Sequence, residues 1–439
     1  MGRVWSTLAL VVVLGGLVGY IYFVDSKSEP GGTTVKEKPF GSLQADDVEE
    51  VQVKSADGET TRVQKSDGKW QVVEPVKADA DASELTTIAS SIATLEINRV
   101  VDENASDLKQ YGLEPARVEV AFRSKGQKDL KHLQIGEKTP TGSDLYARFP
   151  DQKRVFLVSS FLDTTFNKST FALRDRRILL FDRNMVDGLE LTSGATKTTL
   201  TKSGSDWRLA SPISVRADFA AVEGALERLS STQMQGIVDP EGKDLAKYGL
   251  TKPTGTINVK AGSSNATLTL GSTENALLFA RDSSRPLVFT IAPVLKDDVI
   301  RTVADFRRKD LFDGRAFTTT KAEFKRGAET IVLEKSKGKD DMDVWKSSGK
   351  DVDAMKADDL LTKVTGLRAA SFEDKPHPSL KSPALVVSVT YGENKQETVT
   401  FARSGTDVFA SRSDEPGTAK VDGSGLDDVM KAIDAVKEF

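Results

Sequence analysis

The feature that most constrains the fold is a motif that the chain carries twice, 137 residues apart. Trp70 precedes the triplet 111–113 (Tyr-Gly-Leu), and Trp207 precedes the same triplet at 248–250. The tryptophan and the tyrosine are equally far apart in both copies, so nothing is inserted or lost between them. A period of this length exceeds that of a solenoid unit and indicates whole domains that share one fold.

Each copy shows the same order of predicted elements. A strand carries the tryptophan, an amphipathic helix follows at 81–95 or 218–229, and the triplet ends a short helix. The glycine of the triplet suits the left-handed position after a helix, and Pro115 or Pro253 prevents its continuation. Strands with period-two alternation come next. We interpret one set of residues as structural repeat motifs: Trp70, Tyr111, Gly112, Leu113, Trp207, Tyr248, Gly249, Leu250 and, from the third copy, Trp345.

The third copy is shorter and divergent. Trp345 starts it 138 residues after Trp207, and a predicted helix follows at 357–367. Residues 376–383 stand where the Tyr-Gly-Leu triplet is expected, which predicts a loop there. The fold class is therefore α+β, with three tandem homologous strand-rich α+β domains after an N-terminal transmembrane helix. The predicted domains span residues 40–180, 181–312 and 313–439.

Residues 5–24 form a run of 20 residues without a charged side chain. As a helix this run would span about 30 Å, the thickness of the bilayer hydrocarbon. We predict that residues 1–24 are a transmembrane anchor in the lipid bilayer and that 25–39 are a flexible tether. Arg3 on the short leading side places the bulk of the chain outside the cytoplasm. A cleaved signal peptide is the alternative, although no small-x-small cleavage site follows Val24.

Composition excludes several classes of chemistry. The 439 residues include no cysteine and two histidines, and the net charge is −4. Thiolate catalysis and cysteine-based metal sites are excluded, and no concentrated basic face points to nucleic acid. The sequence contains no catalytic or phosphate-binding motif. We therefore predict no metal, no cofactor and no enzymatic activity.

Two basic clusters follow predicted helices. Their arginines can neutralise a helix C-terminus and pair with the aspartate that follows. Alternatively, they dock a partner or an anionic polymer of the cell envelope. These candidate docking residues are Arg174, Arg176, Arg177, Arg307 and Arg308.

The anchor, the tether and the repeated tryptophan and Tyr-Gly-Leu motifs resemble the bacterial domain-of-unknown-function family 4340. The resemblance covers nearly all of the chain after the anchor, and the third copy departs from the pattern. It implies a membrane-anchored, extracytoplasmic protein of the bacterial inner membrane. It also implies an accessory role beside an ABC-type transport or gliding-motility-type system. The family carries no catalytic residues to transfer.

Three functions remain open from the sequence. The first is a non-enzymatic scaffold or accessory subunit that binds a membrane-protein partner or an envelope component. The second is a carboxylate-based hydrolase of the cell envelope, which requires two carboxyl groups about 5–10 Å apart in a cleft. The third is a passive structural spacer.

Overall fold

The structure, a computed structural model, describes residues 36–338 and 343–437. The predicted transmembrane helix at 5–24 and the tether up to residue 35 lie outside the described residues. Within the described ranges, no helix is both long enough and apolar enough to cross a membrane.

The described residues build three antiparallel sheets of nine strands each, all with one strand order. In the first sheet this order is β4-β3-β2-β1-β6-β7-β8-β9-β5. The fifth strand of each repeat crosses over and becomes the far edge of the sheet, beside the ninth strand. The predicted strand-rich α+β class, repeated in tandem, is confirmed.

The three sheets occupy successive parts of the chain. The first comprises β1 Val48–Lys54, β2 Thr60–Ser66, β3 Lys69–Glu74, β4 Ala78–Asp79, β5 Arg99–Asp102, β6 Val118–Ser124, β7 Lys131–Lys138, β8 Asp144–Arg148 and β9 Val155–Ser159. The second comprises β10 Val186–Ser193, β11 Thr196–Ser203, β12 Asp206–Ser211, β13 Val215–Arg216, β14 Gly236–Asp239, β15 Gly255–Ala261, β16 Ser264–Glu274, β17 Leu277–Asp282 and β18 Val288–Ile291. The third comprises β19 Thr319–Arg326, β20 Glu329–Lys337, β21 Asp343–Ser347, β22 Lys350–Val352, β23 Ala369–Glu373, β24 Leu385–Tyr391, β25 Lys395–Ser404, β26 Asp407–Arg412 and β27 Thr418–Val421.

Helices cover one face of each sheet. They are α1 Ala82–Ala93, α2 Leu162–Phe166, α3 Thr170–Leu173, α4 Phe219–Ser231, α5 Val294–Val299, α6 Val303–Phe306, α7 Ala354–Thr365 and α8 Gly423–Lys437. An aspartate caps the main helix of every repeat, because Asp81, Asp218 and Asp353 each accept hydrogen bonds from the first backbone N–H groups. The buried stripe of α1 includes Leu85 and Ile88, which pack in the core of the first sheet. Burial of these stripes, at about 25 cal/mol per Å² of apolar surface, holds each helix on its sheet.

The repeat tryptophans occupy equivalent places on the third strand of each sheet, and all three are buried. A lysine from the neighbouring strand lies over each indole ring, with Nζ 5.0–5.5 Å from the ring centroid. The pairs are Lys65 with Trp70, Lys202 with Trp207, and Lys335 with Trp345. The indole N–H groups of Trp207 and Trp345 also donate to Glu223 and Asp358 on the covering helix.

The Tyr-Gly-Leu triplets form tight turns that press against the seventh strand of their own repeat. Gly112 ends the 3-10 helix Lys109–Tyr111 with a φ of 66°, and Gly249 has a φ of 69°. A Cβ atom at Gly136 would stand 2.0 Å from the carbonyl oxygen of Tyr111, and one at Gly271 would stand 2.1 Å from that of Tyr248. The turn therefore requires glycine on the strand beneath it, at a β-bulge in both repeats.

The third repeat lacks both halves of this arrangement. Ala402 occupies the place of Gly136 and Gly271, and β25 pairs with β26 without a bulge. A 3-10 helix at Pro378–Lys381 replaces the predicted loop. His377, ahead of it, stacks on Phe409 at 3.7 Å, where Tyr248 meets Phe279 in the second repeat. Because the third repeat has no Tyr-Gly-Leu turn whose carbonyl would press on this strand, the Cβ atom of Ala402 is accommodated.

The described chain divides into two compact units. The first ends at Arg176 and holds the first sheet, whereas the second begins at Arg177 and holds the other two sheets. Each of the predicted ranges 40–180, 181–312 and 313–439 encloses one complete sheet.

Candidate functional site

The second unit contains a short segment, residues 306–311, that joins its two sheets. On the side of the second repeat, the Asp218 N–H donates to the Phe306 carbonyl at 2.7 Å. The Arg308 N–H donates to the Arg216 carbonyl at 3.0 Å. The segment thus extends the edge of the second sheet beside β13.

The same segment also pairs with the third repeat. The Ala369 N–H donates to the Lys309 carbonyl at 2.8 Å, and the Leu311 N–H donates to the Leu367 carbonyl at 3.2 Å. Both of its sides are therefore hydrogen-bonded, which fixes the second and third sheets relative to each other.

Arg216 lies at the centre of this junction and is buried. Its Nε donates to Glu415 at 2.7 Å, and a terminal nitrogen donates to Asp313 at 2.7 Å. The other terminal nitrogen donates to the Asp310 carbonyl at 2.9 Å. The guanidinium of Arg216, in the second repeat, therefore binds two carboxylates of the third repeat and one carbonyl of the segment 306–311 that leads into it.

Arg412 and Glu397 form a second buried pair in the third repeat. Their side chains are 5% and 2% exposed, and they meet at 2.7 Å. Arg412 also donates two hydrogen bonds of 2.9 Å to Asp414. Glu397 accepts the backbone N–H groups of Asp313 and Gly314, at 2.9 and 2.8 Å. This arrangement satisfies both charges and fixes the start of the third repeat.

Arg307 is the third buried arginine of the junction. Its guanidinium lies 4.1 Å from the Phe372 ring centroid and donates to the Pro416 carbonyl at 3.1 Å. Glu415 is 3.6 Å away, and the Arg307 Nε has no hydrogen-bond partner. We call the whole set the inter-repeat cluster: Arg216, Arg307, Arg412, Asp313, Glu397, Asp414 and Glu415.

The cluster shifts the pKa values of several members. Hydrogen bonds from Arg412 hold the pKa of Asp414 below its ordinary value. Burial acts to lower the pKa of Arg412, but the hydrogen bonds to Asp414 and Glu397 outweigh it and raise that pKa. Burial lowers the pKa of Arg307, against the opposing charge of Glu415. Burial, together with the charges of Glu397 and Asp313, raises the pKa of Tyr391.

A groove of about 800 Å³ opens beside the cluster, between the second and third repeats. Its walls include Arg216, Arg308, Asp313, Tyr391 and Asp414, together with the exposed ring of Phe219. The arginines and the aspartates here pair with each other. Such an arrangement stabilises a junction, and it leaves the paired groups little freedom for proton transfer.

The candidate docking arginines have different surroundings. Arg307 is 5% exposed, and the Phe372 ring lies over its guanidinium. Docking through Arg307 stays a prediction. Arg308 pairs with Asp313 at 2.7 Å, in line with pairing to a following aspartate. In the first unit, Arg174 pairs with Ala80 through the backbone, and the Arg176 guanidinium lies 5.9 Å from the Phe171 ring.

Arg177 is exposed, and docking through Arg174, Arg176 and Arg177 stays a prediction. The sequence reasoning named Arg307 as a candidate and missed the other six members of the cluster: Arg216, Arg412, Asp313, Glu397, Asp414 and Glu415. The contacts across the junction join remote parts of the chain, since Arg216 and Glu415 are separated by 199 residues and Asp313 and Glu397 by 84. No local motif marks such a pair.

The part of the chain that the structure describes holds no group of three or more histidine, cysteine, aspartate or glutamate side chains placed to bind a metal ion. His132 contacts Glu119 at 2.8 Å, and the His377 side chain contacts Ser379.

We expect acid to weaken the junction through Asp414. Its folded-state pKa is depressed, so its stabilising contribution is complete above the unfolded-state pKa of about 4 and is lost as the pH falls through the folded value. Unfolding by urea, followed between pH 6 and pH 2, should show this loss. Asp414→Asn should be less stable at pH 6 and should lose less stability on acidification. Parallel curves for the two proteins would contradict the assignment.

Fold and junction together define the chain as a tandem-repeat protein of strand-rich α+β domains, in which buried ion pairs fix the second and third domains to each other. The model of the family described as "Domain of unknown function (DUF4340)" matches residues 70–206 and 207–383. The chain belongs to this family, which confirms the resemblance seen in its motifs. Each match begins at a repeat tryptophan, Trp70 or Trp207, and the first is as long as the spacing between them.

No curated protein matches the sequence. Among solved structures, a DNA polymerase sliding clamp from Pseudomonas aeruginosa with ligand is 9% identical, over 86% of this chain and 92% of the clamp, with a TM-score of 0.15. A DnaN sliding clamp from the same organism, bound to griselimycin, is 8% identical over 87% and 92% of the two chains, also with a TM-score of 0.15. Similarity at this level carries no structural argument.

Proposed function

We propose that the chain is a non-enzymatic accessory or scaffold subunit of a bacterial envelope, anchored in the inner membrane by residues 5–24. Its repeats lie outside the cytoplasm and bind a membrane-protein component of an ABC-type transport or gliding-type system. The transporter setting comes from the resemblance of the sequence to its family. The observation that carries the non-enzymatic part is the pairing of charged groups in the inter-repeat cluster.

A general acid in a hydrolase keeps its proton at neutral pH, so its pKa is raised. In the described residues, each carboxylate with a displaced pKa is displaced downward. Asp414 is one such group at the groove, where Arg412 lowers its pKa. Glu223 is another, since hydrogen bonds from Trp207 and Arg183 outweigh burial and lower its pKa. These groups hold repeats and helices in place as anions, as a scaffold requires.

The proposal is tested by purifying the full-length chain from detergent-solubilised membranes of its source organism. We expect a membrane protein to co-purify in a fixed ratio. Arg177→Glu should reduce that ratio at least several-fold, because it reverses an exposed candidate docking charge. Lys431→Glu is the matched control, since this exposed lysine of α8 lies in the third repeat.

Two outcomes would contradict the proposal and favour another function. If a carboxylate variant stays folded yet abolishes function, the chain is a hydrolase. If nothing co-purifies and an unrelated folded spacer restores function in place of the repeats, the chain supplies length alone.

A further inference from the structure

A groove of about 520 Å³ lies in the first unit, beside the first residues that the structure describes. Glu37 and Phe40 form one wall. Residues of two hairpin turns form the others: 125–130, between β6 and β7, and 149–154, between β8 and β9. The floor is apolar, because Phe40 packs on Phe149 with ring centroids 5.6 Å apart. The groove therefore lies on the side of the unit that the predicted anchor and tether lead into.

Four lysines lie on or beside these two turns, and we call them the basic rim: Lys125, Lys128, Lys131 and Lys153. All four are exposed, and in the described part of the chain none of them is in an ion pair. The Lys131 Nζ lies 5.6 Å from the Phe40 ring centroid, so cationic and apolar surfaces adjoin. The acidic residues of the same two turns are Asp129 and Asp151.

The other basic residues at the groove already have carboxylate partners. Lys36 and Lys38 pair with Glu96, and Arg154 pairs with Glu37 at 2.7 Å. The four lysines of the basic rim are thus the cations that remain for a ligand, and they outnumber the two aspartates.

The turn between β6 and β7 is basic in the first repeat alone. It spans 125–130 with two lysines, and Lys131 follows it. The corresponding turn of the second repeat is 262–263, Gly-Ser, and that of the third is 392–394, Gly-Glu-Asn. Neither of these two turns carries a cation. The shared fold therefore does not require the lysines, which occur on the repeat that follows the predicted anchor.

We propose that the basic rim and its groove dock the first unit on the anionic lipid surface of the membrane that holds the anchor. The inference rests on the proposed anchoring by residues 5–24. Residues 25–35 separate the anchor from Lys36, and a segment of this length spans at most about 40 Å when fully extended. Because Glu37 and Phe40 line the groove, this side of the unit stays close to the bilayer.

Charge and apolar surface both fit lipid headgroups. Lysine ammonium groups attract the phosphates of anionic lipids, and each lysine near such a surface strengthens binding about fivefold. Two lysines in excess of the aspartates favour the docked state about twenty-five-fold. The Phe40 and Phe149 rings suit the boundary between headgroups and acyl chains, where phenylalanine and leucine side chains of surface-bound proteins insert.

Fluorescence quenching in vesicles tests the docking. The natural chain has no cysteine, so Gln127→Cys, at an exposed position of the β6–β7 turn, gives the full-length chain one thiol for a fluorophore. The vesicles carry a nitroxide quencher on their lipid headgroups. We expect strong quenching in phosphatidylglycerol mixed with phosphatidylcholine, and weak quenching in phosphatidylcholine alone or at high salt. Thr141→Cys, in the turn at the other end of β7, is the reference and should stay weakly quenched.

Charge variants separate electrostatic docking from closeness to the bilayer. Lys125→Glu with Lys128→Glu should lower the ratio of docked to undocked molecules about a hundredfold or more, so the Gln127 label is quenched no more than in phosphatidylcholine. Lys125→Ala with Lys128→Ala adds no repulsion and should lower the ratio about twenty-five-fold. Lys54→Glu with Lys77→Glu, the matched control, changes the net charge equally at the other end of the strands and should leave the quenching unchanged.

Alkaline carbonate extraction of the same vesicles distinguishes docking from anchoring. A chain that carbonate removes overturns the anchoring and this inference together. For a chain that stays in the vesicles, quenching that requires phosphatidylglycerol and is lost in the glutamate variant supports the docking. Equal quenching by anionic and neutral lipid, or wild-type quenching in both charge variants, overturns the docking alone. Quenching that appears only when a membrane-protein partner is added assigns the basic rim to that protein and also overturns the docking.

Discussion

Replacing Gly271 by alanine should destabilise the second unit by about 3 kcal/mol. The new methyl group would stand 2.1 Å from the Tyr248 carbonyl oxygen, a backbone atom that cannot move without breaking the turn. The Ser272 N–H donates to that same carbonyl at 2.9 Å, so the turn is tied to the strand beside the clash. Urea unfolding of the full-length chain in detergent measures the change. Gly136→Ala should have a similar effect on the first unit.

Ala402→Gly is the matched control in the third repeat. No Tyr-Gly-Leu turn lies above this position, so the change removes only a methyl group and adds backbone freedom within a strand. We expect a loss of about 1 kcal/mol or less. Equal losses at Gly271 and Ala402 would show that the turn and the strand glycine are not coupled.

Removing the Glu397 carboxylate should cost the second unit about 3–5 kcal/mol. Glu397→Ala leaves the buried Arg412 with one carboxylate partner fewer. It also removes the acceptor of the hydrogen bonds from the Asp313 and Gly314 N–H groups. Thermal and urea unfolding should both report the loss. Glu334→Ala is the control, because Glu334 pairs with Lys321 on the surface, where an ion pair contributes about 0–1 kcal/mol.

A double replacement tests whether the loss in Glu397→Ala comes from leaving a buried charge without its partner. Glu397→Leu with Arg412→Met removes both charges together, so no buried charge is left without its partner. We expect it to be more stable than Glu397→Ala. If Glu397→Ala and Glu334→Ala lose the same small amount of stability, the buried pair does not hold the junction.

Local signals in the sequence predicted much of each repeat. The amphipathic patterns at 81–95 and 218–229 predicted helices, and the structure has α1 Ala82–Ala93 and α4 Phe219–Ser231 there, each capped by the aspartate before it. Tyr248 precedes a glycine with positive φ and is buried, as a packed turn requires. The position of the fifth strand was not predictable in this way. Its partner, the ninth strand, is more than 50 residues away, as for Arg99 and Leu157.

The inter-repeat cluster could not be predicted from the sequence for a different reason. Charged residues usually face solvent, so a run such as Arg307-Arg308-Lys309 indicates a surface. Burial of Arg307 depends on Phe372 and Glu415, which the fold brings together from other parts of the chain. A different contact, between the Tyr-Gly-Leu turn and the strand beneath it, did leave a signal in the sequence. The strand glycine and the triplet are both absent from the third copy, which indicates that they depend on each other.

The doubly bonded segment at 306–311 has a consequence for how such chains change by gene duplication. In each repeat, one edge of the sheet can bind the chain segment that follows the repeat, and the opposite edge can bind the segment that precedes it. A duplicated copy inserted in the middle would bring its own entering segment, so its interior edges would be covered at once. Side chains such as Arg216 and Glu415 belong to different copies, however, and must diverge in step. Lineages of this architecture should therefore alter repeat number more readily than they exchange single repeats.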